Sequence, residues 1–363
     1  MRNTNKHKII IATGGTGGHV FPAYSLAKNF IKNDYLVEIM TDKKGLKYLE
    51  KYKDIKLISS SSATVFKKNI LSLFYSIFVI FFSYIKSLVF LYKTKPLVVF
   101  GMGGHASFPV CVAAKTLNIP FIIYENNIQI GKSNKYLLPF ALKFFVSYED
   151  LLGIEKKYNH KVIATGNIIR EEFLSFKKNN KFTPEMLNIL VLGGSQAAKP
   201  FGELLPKVFE QCKKENIMIK VFQQCIESQT EKLNEIYKNL HLDVELFNFT
   251  NNISEYFSKT ELAITRSGSS ITAELINCNI PFISIPYPYA ADSHQDKNAT
   301  YFEKKGYSLS VKEVDVNEKL FPLIRKFYKD KKLLDKIIEK QKKHSDKEVF
   351  LKINNVIKNL KNE

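Results

Sequence analysis

Cysteine is scarce: Cys111, Cys212, Cys225 and Cys278 are spread through 363 residues, and no two form a C-x-x-C pair. That spacing argues against a zinc site and against a disulfide framework, and it fits a reducing cytoplasm. The sequence also lacks an internal repeat, a low-complexity linker and a D-x-D metal signature in a suitable loop. No metal and no cofactor are therefore expected. A G-x-G-x-x-G fingerprint is missing too: Gly15-x-Gly17 would need glycine at position 20, where Val20 stands. A dinucleotide-dependent oxidoreductase is weakened by this, although Asp42 sits near where a ribose-binding acid would be. Acidic residues are outnumbered, 35 against 54 Lys and Arg, for a net charge of +19. Such an excess suits nucleic acid, an anionic membrane or acidic ligands, and part of it reflects lysine spread along the whole chain. The start, MRNTNKHK before Ile9-Ile10-Ile11-Ala12, holds an apolar run too short for a signal peptide.

What is present points to two α/β domains: 363 residues, 45% hydrophobic, with strands and helices alternating. The stretch 264–298 is the most informative. A strand over 261–265 meets a turn at Arg266-Ser267-Gly268, where glycine allows a bend or a close approach to a ligand. A helix from Ser269 to Asn277 follows, then a buried strand over 281–286 and a loop. Ser293 or Asp292 is placed to cap the helix that starts at His294. In a parallel sheet, such strand-to-helix loops share the carboxyl edge where ligands bind, and helix starts offer free N–H groups. The side chains gathered there suit a polar, hydroxyl-rich ligand such as a sugar nucleotide. The bland alternative is a capping region with a solvated Glu274.

The pattern RSG-x-x-x-x-x-E, followed by a proline-flanked strand and HQ-x-x-NA, resembles the donor-sugar signature of the MurG family. These are peripheral membrane N-acetylglucosaminyltransferases that finish the lipid-linked peptidoglycan precursor. Further stretches are similar in the same order. GGTGGHVFPA follows the first strand, and GMGGHASFP, Glu125-Asn126-Asn127 and Gly131-x-x-Asn134-Lys135 come next. Then come GNIIR, with Ile168 where the family has proline, and GGSQAA, with Ala197 in place of a third glycine. The first departure puts loop rigidity in doubt, and the second leaves less room for a ligand.

The resemblance implies a GT-B architecture, two Rossmann-like domains facing across a cleft. Residues 1–165 would bind the lipid acceptor and the membrane, residues 166–345 would bind UDP-GlcNAc, and the helix in 346–363 would pack back on the first domain. Donor contacts are implied at Thr16, Gly17, Gly18, Asn127, Arg170 and Ser195. Thr250, the run Ser269-Ser270-Ile271-Thr272-Ala273-Glu274, and Gln295 complete the donor set. Gly14, Gly15, Gly103 and Gly104 would face the acceptor diphosphate. His19, at a helix start, is the first candidate for general base, with Glu125 as runner-up. A loop-capping role is the alternative for His19.

The implied reaction is inverting transfer of GlcNAc to the C4 hydroxyl of undecaprenyl-diphospho-N-acetylmuramoyl-pentapeptide, with loss of UDP. Such an enzyme works at the cytoplasmic face of the cell membrane. Residues 70–85 carry no charge, and Lys86 then interrupts. This is short of the ~20 residues a span needs, so a helix with one core face and an over-apolar outer face is expected. Phe74, Phe78 and Phe81, rimmed by Lys67, Lys68 and Lys86, would dock on an anionic bilayer. A core helix and a spanning helix are the alternatives. Rival functions are another GT-B lipid glycosyltransferase of the diacylglycerol type, the oxidoreductase, and a basic membrane- or nucleic-acid-binding protein without catalysis. The last explains the charge but not the clustered polar loops, so no nucleic-acid partner is expected.

Overall fold

The computed structural model describes residues 6–60, 70–178, 185–194, 199–248, 250 and 252–362. The strands are β1 (Lys8–Ala12), β2 (Leu36–Thr41), β3 (Lys56–Ser59), β4 (Val98–Gly101), β5 (Phe121–Glu125), β6 (Lys143–Val146) and β7 (Val162–Ala164). They continue as β8 (Leu187–Leu192), β9 (Ile219–Gln224), β10 (Asp243–Phe247), β11 (Leu262–Thr265), β12 (Phe282–Ser284) and β13 (Ser308–Ser310). The helices begin with α1 (Gly17–Lys32), α2 (Lys43–Leu49), α3 (Ile70–Thr94), α4 (Ser107–Thr116), α5 (Lys132–Leu137), α6 (Glu171–Leu174) and α7 (Lys199–Lys214). The rest are α8 (Thr230–Asn239), α9 (Ile253–Lys259), α10 (Ser269–Asn277), α11 (His294–Lys305), α12 (Val316–Lys329), α13 (Lys332–Gln341) and α14 (Val349–Asn362).

The chain forms two compact units: Met1–Arg170 with Asp346–Glu363, and Glu171–Ser345. In the first, seven strands run in the order β3-β2-β1-β4-β5-β6-β7, all parallel. β1 is Lys-Ile-Ile-Ile-Ala, and its three isoleucines are fully buried, as a parallel strand covered on both faces requires. Ile9 and Ile11 join Phe30 of α1 and Val349, Ile353 and Ile357 of α14 on one face. Ile10 joins Leu91 of α3, Val110 of α4 and Leu137 of α5 on the other.

α3 reverses the usual amphipathic order. Its inward face holds Ser76, Ser83, Ser87 and Leu91, while Phe74, Phe78, Phe81 and Phe82 are exposed, Phe78 at 65%. The serines are satisfied locally: Ser83 Oγ lies 3.1 Å from Ser60 Oγ, and Ser87 Oγ donates to Ser83 O at 2.7 Å. Lys86 Nζ donates to Ser59 O at 2.8 Å. By length and composition alone, Phe74–Thr94 is apolar enough to cross a bilayer. Its packing on α4 and its place between β3 and β4 make it instead a crossover helix of the sheet. Lys67 and Lys68 lie outside the described residues.

The second unit has six parallel strands in the order β10-β9-β8-β11-β12-β13. The strand expected over 281–286 is shorter, Phe282–Ser284. Prolines 281 and 286 bound it because neither carries an N–H for the ladder. Each sheet is therefore a doubly wound Rossmann-like sheet with one switch point, between β1 and β4 in the first and between β8 and β11 in the second.

Candidate functional site

In the first unit, the loops after β1, β4 and β5 lie side by side at the carboxyl edge, next to the switch point. They carry Gly14 to His19, Gly103 with Gly104, and Glu125 to Asn127. Gly15 has φ +83° and donates its N–H to both oxygens of Asp42, at 3.2 and 3.1 Å. Asp42 also caps α2 by accepting from Gly45 N at 2.9 Å. The carboxylate thus braces the first glycine loop.

The second glycine loop is shaped around His19. Gly103 has φ +83°, and a Cβ there would stand 3.1 Å from His19 Cε1 and 3.2 Å from Nδ1. Gly104, at φ +76°, would put a Cβ 3.1 Å from Gly14 O. Only glycine satisfies both the dihedral and the space at these positions.

The third loop is tied to the first by Asn126. Pro22 lies inside α1 and has no N–H to give the carbonyl four residues back. That carbonyl belongs to Gly18, and Asn126 Nδ2 donates to it at 2.8 Å. Glu125 is 3% exposed. Its Oε1 accepts from Asn127 N at 3.2 Å and Asn127 Nδ2 at 3.0 Å. Its Oε2 accepts from Gly131 N at 2.8 Å and Asn134 Nδ2 at 3.0 Å. This geometry suits a carboxylate that folds its own loop and orients Asn127. Arg170 closes the first unit, in the loop after β7.

In the second unit, the loops after β8, β11 and β12 share the carboxyl edge in the same way. Gly194 has φ +80° with no described residue within 4 Å of a Cβ built on it, and Gly193 N donates to Gln224 Oε1 at 3.2 Å. Ser195 and Ala197 lie outside the described residues. Arg266 is buried and structural. Its Nη1 donates to Ile285 O at 3.1 Å and Pro286 O at 3.2 Å, its Nη2 pairs with Glu313, and its guanidinium lies 4.6 Å from the Phe201 ring centroid. Gly268 has an ordinary φ of −69°, so no bend requires it. Among the described residues, a Cβ there would meet nothing within 4 Å.

Ser269, Thr272, Ala273 and Glu274 are buried, while Ser270 and Ile271 are half-buried. Thr272 Oγ1 donates back to Gly268 O at 2.9 Å and Ser269 O at 3.0 Å, so its hydroxyl serves the helix start. Asn298 Nδ2 reaches from α11 to Ser267 O at 3.0 Å, joining the two loops. Gln295 Oε1 accepts from Tyr287 N at 2.9 Å, which leaves its amide nitrogen as the end that can donate to a ligand. Ser293, at the cap position of α11, makes no side-chain cap bond. Asp292 and Ser293 instead have φ of 52° and 51°, and Ser293 N bonds Ala290 O at 3.0 Å. Thr250 stands ahead of α9, its Oγ1 accepting from Asn252 N at 3.0 Å. Among the described residues, no group of three or more His, Cys, Asp or Glu is arranged to hold a metal ion.

Asn126 and Gln224 are supports to which the sequence assigns no role, and Asp42 braces a loop from the position near where a ribose-binding acid was expected. Their signal is position alone: a polar residue at or just past a strand's carboxyl end.

Comparison with known proteins accounts for both halves. The description "Glycosyltransferase family 28 N-terminal domain" matches residues 9–146, and "Glycosyltransferase family 28 C-terminal domain" matches residues 188–352. A protein of Pelagibacter ubique is 32% identical over 312 residues, covering 86% of each chain. One of Rickettsia typhi is 33% identical over 362 residues, covering 90% of this chain and 92% of its own. Both are named UDP-N-acetylglucosamine–N-acetylmuramyl-(pentapeptide) pyrophosphoryl-undecaprenol N-acetylglucosamine transferase. Among solved structures, Acinetobacter baumannii MurG is similar with a TM-score of 0.78 at 22% identity, over 98% of this chain and 99% of that one. A UDP co-structure of Staphylococcus aureus MnaA has a TM-score of 0.69 at 17% identity, over 98% and 97%. The chain belongs to glycosyltransferase family 28, as a member of the MurG family.

Proposed function

We propose that this chain moves N-acetylglucosamine from UDP-GlcNAc to the C4 hydroxyl of the muramoyl sugar of an undecaprenyl-diphosphate-linked muramoyl-pentapeptide, with inversion and loss of UDP. The carrying observation is the near full-length match to relatives named for that transfer, at 32–33% identity. In the first unit, three loops meet at one carboxyl edge. Gly14, Gly15, Gly103 and Gly104 are assigned to the acceptor diphosphate, with bracing from Asp42. His19 takes the proton of the C4 hydroxyl as it attacks the anomeric carbon. Glu125, held by three donors of its own loop and one from α5, orients Asn127 toward the donor sugar.

In the second unit, the start of α10 offers N–H groups and a positive dipole end to the UDP diphosphate, where negative charge grows as the sugar leaves. Glu274 accepts from the ribose hydroxyls, and Thr250 meets the uracil through its backbone. Ser195 and Arg170 add to the diphosphate grip.

The acceptor's lipid stays in the bilayer, so the enzyme docks there. The exposed Phe74, Phe78 and Phe81 of α3, with Lys86 beside them, supply the apolar contact and one of the cations for an anionic surface. The test of the transfer is UDP release measured with UDP-GlcNAc and a short-chain lipid-linked muramoyl-pentapeptide. UDP release that requires both supports it. Release that ignores the acceptor, or that runs equally well with diacylglycerol, contradicts it.

A further inference from the structure

The loop after β7 is held from two sides. Gly166 has φ +94°, and a Cβ there would stand 2.6 Å from Asp346 Oδ1. Asn167 donates its N–H to Asp346 Oδ1 at 2.9 Å and its Nδ2 to Oδ2 at 3.4 Å. On the other side, Ile168 donates its N–H to Tyr124 Oη at 3.0 Å. Tyr124 Oη in turn donates to Gly166 O at 3.3 Å and lies 2.8 Å from Ser147 Oγ. Tyr124 is 2% exposed and Ile168 3%, so water cannot replace these bonds without a rearrangement. All of these residues belong to the first unit, and Arg170 stands two residues past Ile168.

A buried tyrosine hydroxyl needs a partner, and a backbone amide is available here only because position 168 is not proline. A proline would fix the backbone through its ring. In this chain a hydrogen bond from another strand does so. We infer that Tyr124 is a positioning residue for the donor: its hydroxyl fixes the backbone of residues 166–168 so that Arg170 is presented to the diphosphate. The inference rests on the reading of Arg170 as a donor-binding residue. Burial raises the Tyr124 pKa well above that of a free tyrosine, so the hydroxyl keeps its proton at working pH. Loss of that hydroxyl leaves the Ile168 amide buried with no acceptor. The loop must then turn to find one, and Arg170 moves with it.

The test is initial-rate kinetics on the full chain with UDP-GlcNAc varied at saturating lipid-linked acceptor, alongside thermal melting. Tyr124→Phe should raise the KM for UDP-GlcNAc by about 5- to 10-fold, with kcat within about 2-fold. Adding Ile168→Pro removes the orphaned N–H, so the double variant should return KM to within about 2-fold of the parent. A merely structural hydroxyl would give no such rescue. Arg170→Ala in the parent separates the two claims. If it leaves KM unchanged, the reading of Arg170 fails. If it raises KM while Tyr124→Phe does not, the inference fails. Should Tyr124→Phe not fold, the double variant decides: parental KM supports the inference, and a KM that stays raised overturns it.

Discussion

Asn126 donates its side-chain amide to the carbonyl oxygen of Gly18 at 2.8 Å, the one carbonyl of α1 whose helical donor Pro22 cannot supply. One proline thus links two loops of the site, because the carbonyl it exposes is claimed by the loop that carries Asn127. His19 is the next residue in the chain, so the bond also fixes where the imidazole begins. Asn126 Oδ1 also accepts from Asn127 Nδ2 at 3.0 Å, so Asn126→Ala removes both bonds and should lower stability by about 1–3 kcal/mol. It should also lower kcat, because the base loses its support. His19→Ala should lower kcat by about 10²–10⁴ while UDP binding stays intact. Urea melts, initial rates and calorimetry with UDP check all three. A His19→Ala rate within a few-fold of the parent would pass the base role to Glu125 or to water.

Gly103 and Gly153 make a controlled pair. Both have positive φ, +83° and +88°, and a Cβ would press on His19 at Gly103 but on Ile130 Cγ2, at 3.0 Å, at Gly153. Alanine at either position should cost about 1–2 kcal/mol from the left-handed backbone alone. Only Gly103→Ala should lose turnover well beyond its loss of stability, since only there does the new methyl displace the base. Equal losses of turnover in the two variants, at equal stability, would contradict the placement of His19.

On α3, Phe78→Ser with Phe81→Ser should weaken binding to anionic liposomes and leave affinity for UDP-GlcNAc unchanged. Salt should weaken the parent's binding only in part, because the lysine contribution is screened and the apolar one is not. Co-sedimentation at two ionic strengths measures both terms. Equal binding to neutral and anionic vesicles would remove the charge component from the account.

Lys178 gives a pH test. Burial lowers its ammonium pKa to about 8, against the opposing pull of Glu261. A depressed folded-state pKa for a lysine is a penalty, fully present below pH 8 and relieved as pH rises toward the unfolded value of about 10.4. Lys178→Met should therefore raise the melting temperature at pH 7, and the gain should shrink above pH 8. A constant gain across that range would show that charge is not the cause.

The sheets were legible in sequence because runs such as Ile9-Ile10-Ile11 declare a strand buried on both faces. The loops were legible because glycines recur just past strand ends. The supports between loops were not, since they depend on which strands become neighbours. Nothing local says that Asp42 after β2 meets Gly15 after β1, or that Tyr124 meets Ile168. The departure at Ile168, which cast doubt on loop rigidity, is offset by that second bond. The cap expected from Ser293 failed because that residue occupies the left-handed region, where the chain itself turns into α11. On α3 the over-apolar outer face was expected, but the serines of the inner face, set beside Leu91 and the partly buried Tyr84 and Leu88, were not.

The most direct measurement is the structure of the product formed from UDP-GlcNAc and a lipid-linked muramoyl-pentapeptide, by mass spectrometry and proton NMR. The account predicts one added N-acetylhexosamine, joined to C4 of the muramoyl sugar in β configuration. An α linkage, attachment at another hydroxyl, or no product with this acceptor would contradict it.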